Sequence, residues 1–218
     1  MSKSHPRISV NKLAEYCEAN PTRRKQIVQD AKNPPKFKST RYSDARKAII
    51  EYICELNEDI IHGAISSISN KPEDTEYQIS DKKSSIEALE YAIDFDYTEV
   101  IQYDVSEFDR DNIKLNIMGV EVSVYPDLIL SNENEIGAIK IHISKEGLTE
   151  ESSKLVAVML YIYLDEIVAV KGEKAKPHLC YSYDVFNERL TPSPISYKRR
   201  LQRLEAACEE IALWWETL

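Results

Sequence analysis

The chain has 218 residues, 43% hydrophobic and 30% charged, with a formal net charge of −9. That is the make-up of a globular protein large enough for one substantial core, or for one core and a small extra lobe. No apolar run approaches the roughly 20 residues that a membrane-spanning helix needs, and the four cysteines form no CxxC or Cys/His cluster with zinc spacing.

The N-terminus lacks the apolar stretch of a signal peptide, so a cytoplasmic location and no membrane partner are expected. Positive charge is concentrated at the start. Residues 1–50 carry 12 Lys/Arg against four acids, a net of +8 that leaves −17 for the remainder. A basic N-terminal lobe over residues 1–42, on an acidic body over residues 43–218, is therefore expected. Such asymmetry marks either a phosphate-binding surface or a lobe docked on acidic neighbours.

Ser9 to Glu18 reads as a short helix with Leu13, Ala14 and Cys17 on one face. Asn20 and Pro21 open a second helix over Thr22 to Lys32, and Asn33-Pro34-Pro35 ends it. Ser43 caps a third helix carrying Ile49, Ile50, Ile53 and Leu56, and Asp59 to Ile68 continues as a helix. Asn70 to Ile79 is polar, holds Pro72 and reads as a loop, followed by a helix over Ser84 to Asp94. The period then changes. Ile113 to Ile117, Val120 through Leu130 and Ile136 to Ser144 read as a three-stranded antiparallel meander, turning at Met118-Gly119 and again at Asn132 to Glu135. Thr149 caps a long helix to about Val168 that is apolar on most sides. His178 to Phe186 is a further strand, Thr191 to Pro194 a rigid linker, and Ser196 to Leu218 a final long helix.

Two features of the meander bear on chemistry. Pro126-Asp127 lies in its second strand, and Gly137-Ala138-Ile139-Lys140 in its third. Lys140 sits in a strongly apolar strand, where an amine is costly without a partner or a cavity. Ala138, Lys140 and His142 share one face, because strand residues two apart do, and Asp127 can reach that face across the hairpin.

From Ser84 to Phe186 the order is helix, three strands, helix, strand. With Pro126-Asp127 and Lys140 placed as they are, this resembles the αβββαβ core of the PD-(D/E)XK nuclease superfamily over about the middle half of the chain. The resemblance implies an α/β (α+β) restriction-endonuclease-like core, here with an N-terminal helical lobe and a long C-terminal helix. It also implies metal-dependent cleavage of nucleic-acid phosphodiesters, with Mg²⁺ or Mn²⁺ bound at Asp127 and Lys140 assisting the attacking water. A defence or mobile-element role is the setting it suggests.

Ala138 departs from the pattern, because it stands where the second metal-binding acid belongs. Some superfamily members draw that acid from a helix before the sheet. Glu51, Glu55, Glu87 and Glu90 are the candidates, with Glu90 or Glu51 favoured, and His142 could add a ligand. In the active version Asp127, Lys140 and one such glutamate are catalytic. In the alternative, Asp127 and Lys140 form a buried ion pair left from a lost site, and the chain is an inactive nuclease-fold subunit for nucleic-acid binding or protein assembly.

DNA or RNA is the expected partner, held by Arg23, Arg24, Lys25, Lys36, Lys38 and Arg41; a protein partner or a second copy of the chain is the other option. Lys198, Arg199, Arg200 and Arg203 form a second basic cluster, read equally as a phosphate contact or as partners for acidic neighbours. Tyr181 and Tyr183 share a strand face and could stack on bases, though core packing suits them better. Phosphate loops, dinucleotide fingerprints, hydrolase elbows and zinc-protease motifs are absent from the sequence.

Overall fold

The alternation around Lys140 builds a five-stranded mixed sheet in the order β2 (Asp104–Glu107), β5 (Leu128–Asn132), β6 (Glu135–His142), β7 (Lys174–Asp184) and β8 (Arg189–Pro192). Only β6 and β7 are parallel among these neighbours. A parallel pair needs a long crossover, and α6 (Glu150–Lys171) supplies it. This computed structural model describes residues 5–34, 41–108, 114–171 and 174–218. Among them the chain is mixed α/β, with seven helices and two mixed sheets.

Successive strand side chains leave a sheet on opposite faces, and the large sheet uses this to join two apolar cores. Ile139 and Ile141 of β6, with Leu128, Leu130, Tyr181 and Tyr183, enter a core shared with α3 (Ser43–Glu55), α4 (Glu58–Ser69) and α5 (Glu76–Asp94). Ala138 and Cys180 enter the other, shared with α1 (Val10–Glu18), α2 (Pro21–Lys32), α6 and α7 (Lys198–Thr217). Leu155 to Leu160 of α6 are all fully buried, so this stretch of the helix is enclosed on every side. The segment before residue 42 packs its Leu13, Tyr16, Ile27 and Val28 into this same core.

A second sheet of three strands, β1 (Arg7–Ser9), β4 (Val120–Ser123) and β3 (Leu115–Ile117), closes the α1 side. The expected single meander is thus corrected to two hairpins in two sheets. β3 and β4 pair across Met118-Gly119, both at positive φ, as a two-residue hairpin turn requires. β5 and β6 pair in the large sheet. The strand expected to run from Val120 to Leu130 breaks at Val124 to Asp127, which are not in strand. Ile113 lies outside the described residues.

Other local differences have identifiable causes. Thr75 and Gln78 form a reciprocal capping box, so α5 starts at Glu76, inside the expected loop. β2 has a single apolar residue in Asp-Val-Ser-Glu and so carries no periodic signal. β8 takes in Thr191 and Pro192 of the expected linker and ends at Pro192, which an edge strand tolerates.

The β6–β7 register shifts between Ile136 and Ala138. A Cβ at Gly137 would sit 2.1 Å from the Leu179 carbonyl oxygen, so the strands approach here as closely as only glycine permits. Gly137→Ala should therefore lower the urea unfolding midpoint, with a loss on the order of 3 kcal/mol from forced separation of the strands. A neutral midpoint would contradict this close approach.

Candidate functional site

The chain crosses from the small sheet to the large one through Val124, Tyr125, Pro126 and Asp127. Tyr125 sits at φ 39, a left-handed conformation costly for a bulky residue and disfavoured again before proline. Two contacts hold it. Lys140 Nζ donates to the Tyr125 carbonyl at 2.7 Å, and the Asp127 amide donates to the Ile139 carbonyl at 2.9 Å.

Asp127 is buried, and its side chain is 5% exposed. Its Oδ2 accepts the Ile141 amide at 2.8 Å, lies 3.0 Å from Lys140 Nζ, and accepts from Arg46 Nη1 at 3.2 Å. Arg46 Nη1 also donates to the Ile141 carbonyl at 2.8 Å. One carboxylate oxygen thus gathers three donors, two of them cationic, from β6 and α3. Arg46 was not singled out from sequence, because it meets Asp127 across 81 residues. The available signal was an arginine flanked by the buried Ala45, Ala48 and Ile49 of α3.

The position expected to hold a second acid is an apolar one. Ala138 is fully buried in the α1/α6/α7 core. Glu51 and Glu90 are exposed on α3 and α5 and line separate grooves, neither of which Asp127 or Lys140 lines. Glu87 pairs with Lys145 at 2.6 Å, and Glu55 is exposed at the end of α3. Among the described residues, no group of three or more His, Cys, Asp or Glu side chains is arranged to hold a metal ion. A hard divalent cation needs several oxygen ligands. The Asp127 oxygen committed to Lys140, Arg46 and an amide, with no second carboxylate joined to it, does not fit one.

His142 stands beside this cluster, with Nδ1 3.3 Å from Asn11 Nδ2 and Nε2 buried without a hydrogen-bond partner. Burial holds its pKa below the usual 6.5. Asp184 on β7 opposes that shift, while Arg46 on α3, Lys12 on α1 and Lys140 on β6 reinforce it.

The expected nucleic-acid contacts are dispersed. Arg23 pairs with Glu15 at 2.5 Å, and Lys25 is exposed on the same helix. Arg24 pairs with Glu210 of α7 at 3.2 Å and lies over the Tyr16 ring. Arg41 donates to Ser80 and Ser84 of α5. Lys36 and Lys38 lie outside the described residues. Arg200 and Arg203 both engage Glu151, at 2.7 and 3.5 Å. Tyr181 and Tyr183 are core residues, as is Trp215. On the α1 side, Lys140 and Tyr125 face a cleft of about 490 Å³, whose other polar lining includes Arg7, Asn11 and Lys12. No protein-family model matches the chain, and neither does any curated protein.

Removing the shared carboxylate strands two cations. Asp127→Ala should cost about 3 kcal/mol in chemical unfolding, the low end for a broken buried pair, because Lys140 (15% exposed) and Arg46 (30% exposed) can turn toward water. Lys140→Met should cost less, since it leaves Asp127 with Arg46 and the Ile141 amide. The reverse ranking would contradict the hub role of Asp127.

The His142 shift sets a pH dependence. Its folded pKa lies below the unfolded value, so the unfolded chain takes the proton first. The contribution is complete above about pH 6.5 and declines as pH falls through the interval beneath it. Melting curves between pH 7.5 and 5 should show a steeper acid loss for the native chain than for His142→Gln. Parallel slopes would remove His142 from the account.

Proposed function

We propose that the chain is a catalytically inactive nuclease-fold subunit that binds nucleic acid through its phosphates without cutting it. The arrangement of the large sheet supports the fold half of this reading. α5, β2, β5, β6, α6 and β7 follow the αβββαβ order of the PD-(D/E)XK core, with the β3–β4 hairpin inserted after the first strand. Asp127 precedes the second of these strands and Lys140 lies in the third, with Asp127 Oδ2 and Lys140 Nζ 3.0 Å apart.

The observation that carries the functional half is the state of the Asp127 carboxylate. Asp127 Oδ2 accepts from Arg46 and the Ile141 amide and lies against Lys140, so protein groups already neutralise the carboxylate. The motif thus acts as a structural junction between α3 and β6. Basic side chains on the α1–α2 surface, including Arg23 and Lys25, and the cleft beside Lys140 are the surfaces offered to phosphate.

Single- and double-stranded DNA and RNA incubated with Mg²⁺ or Mn²⁺ should remain intact with the native chain, as with Asp127→Ala and Lys140→Ala. Gel-shift titrations should show binding that weakens with salt, as counterion release requires. Cleavage by the native chain that Asp127→Ala abolishes would restore the enzyme reading. Absence of binding at low salt would remove the nucleic-acid role.

A further inference from the structure

We infer that the arginine-lined cavity where α7 starts against α6 is the phosphate-binding centre for a nucleic-acid strand. The site rests on the reading of the chain as a nucleic-acid binder, and neither Asp127 nor Lys140 lines it.

A cavity of about 540 Å³ is lined by Arg199, Arg200 and Arg203 of α7 and by Glu151 of α6. The lining is open to a ligand: Arg199 is exposed, and the side chains of Arg200 and Arg203 are 23% and 40% accessible.

Its charges do not balance. Arg200 and Arg203 share Glu151, and Arg203 also pairs with Glu18 at the end of α1. Lys198 and Arg199 are exposed, and neither side chain has an ion pair or hydrogen bond among the described residues. Glu150 lies in the field of Arg200 but is itself held by Lys154. Lys198 and the three arginines thus stand against Glu151 and Glu18. Arg200 Nε is buried without an acceptor, so the two glutamates also leave a donor unanswered. Guanidinium forks gathered around one cavity suit the paired oxygens of a phosphate.

The excess continues beyond the cavity. Arg203 of α7 and Arg24 of α2 both donate to the Cys17 carbonyl, at 2.7 and 3.4 Å. α2 therefore sets Arg24 directly beside the cluster. The exposed Lys25 follows on the same helix, with no ion pair among the described residues. A run of cations from α7 across the end of α1 to α2 matches a ligand with repeated negative charge.

The lining also selects among polyanions. Every residue in it is ionic, so an acidic polypeptide would find no apolar surface for the centre of a protein interface. A phosphate backbone needs none, since nucleic-acid interfaces are polar and positively charged. Glu151 holds the same two guanidinium groups that a phosphate would take, and so competes with the ligand.

The test follows a short fluorescent single-stranded oligonucleotide by anisotropy across a salt series, with the full chain and its variants. Lys198→Ala with Arg199→Ala should weaken binding about tenfold and lower the slope of log affinity against log salt by about 1.4, the share of two phosphate contacts. Lys47→Ala with Lys83→Ala, an equal charge change on exposed residues of α3 and α5, should do neither. Glu151→Gln should act in the opposite direction and tighten binding, which the loss of a purely structural ion pair would not do. A Lys198/Arg199 loss no greater than that of the Lys47/Lys83 pair would overturn the site, as would a Glu151→Gln variant that gains no affinity; native binding would then leave the nucleic-acid reading standing. No binding by the native chain would overturn both. Competition by poly-L-glutamate as strong as by unlabelled oligonucleotide would assign the surface to an acidic protein and overturn the strand as its ligand.

Discussion

The structure turns on a single oxygen atom. Asp127 Oδ2 ties the loop leaving the small sheet to the backbone of β6, and through Arg46 it ties both to α3. A carboxylate removed from water costs several kcal/mol unless its lone pairs are answered. Here the answers come from an amide, an ammonium and a guanidinium. Those partners fix where α3 rests on the sheet, because Arg46 spends the same nitrogen on the Ile141 carbonyl. The strained Tyr125 follows from the same junction, since Lys140 reaches both Asp127 and the Tyr125 carbonyl.

Arg46 and Lys140 neutralise that aspartate from two elements. Ala138, two residues before Lys140, sits in an apolar core with Cys180 beside it in register, where an acid would meet hydrocarbon rather than a cation. Asp127 and Lys140 thus meet at 3.0 Å, while Ala138 serves packing.

Much of this was legible in the sequence, and the reasons are physical. Helices with caps and a 3.6-residue apolar period were readable, as with Asn20 and Pro21 ahead of α2. So was the Asp127–Lys140 pairing, because a lysine inside an apolar strand demands a partner. Three short edge strands, β1, β2 and β8, were not readable: three or four residues hold position only through a neighbour supplied by the fold. The break at Tyr125 was hidden because its backbone is set by a contact 15 residues away. Arg46 was hidden for the same reason at longer range. The helix glutamates were equally plausible in sequence, and only the orientation of α3 and α5 separates them from Asp127.

The enclosure of α6 has a consequence for how the chain comes off the ribosome. Its buried stretch is covered by segments made both before and after it, with β7 lying along β6 only once residues past 174 exist. Until then β6 offers an unpaired edge, and an apolar helix of 22 residues has no lid. The nascent protein therefore passes through an interval in which its stickiest parts are finished and their cover is not.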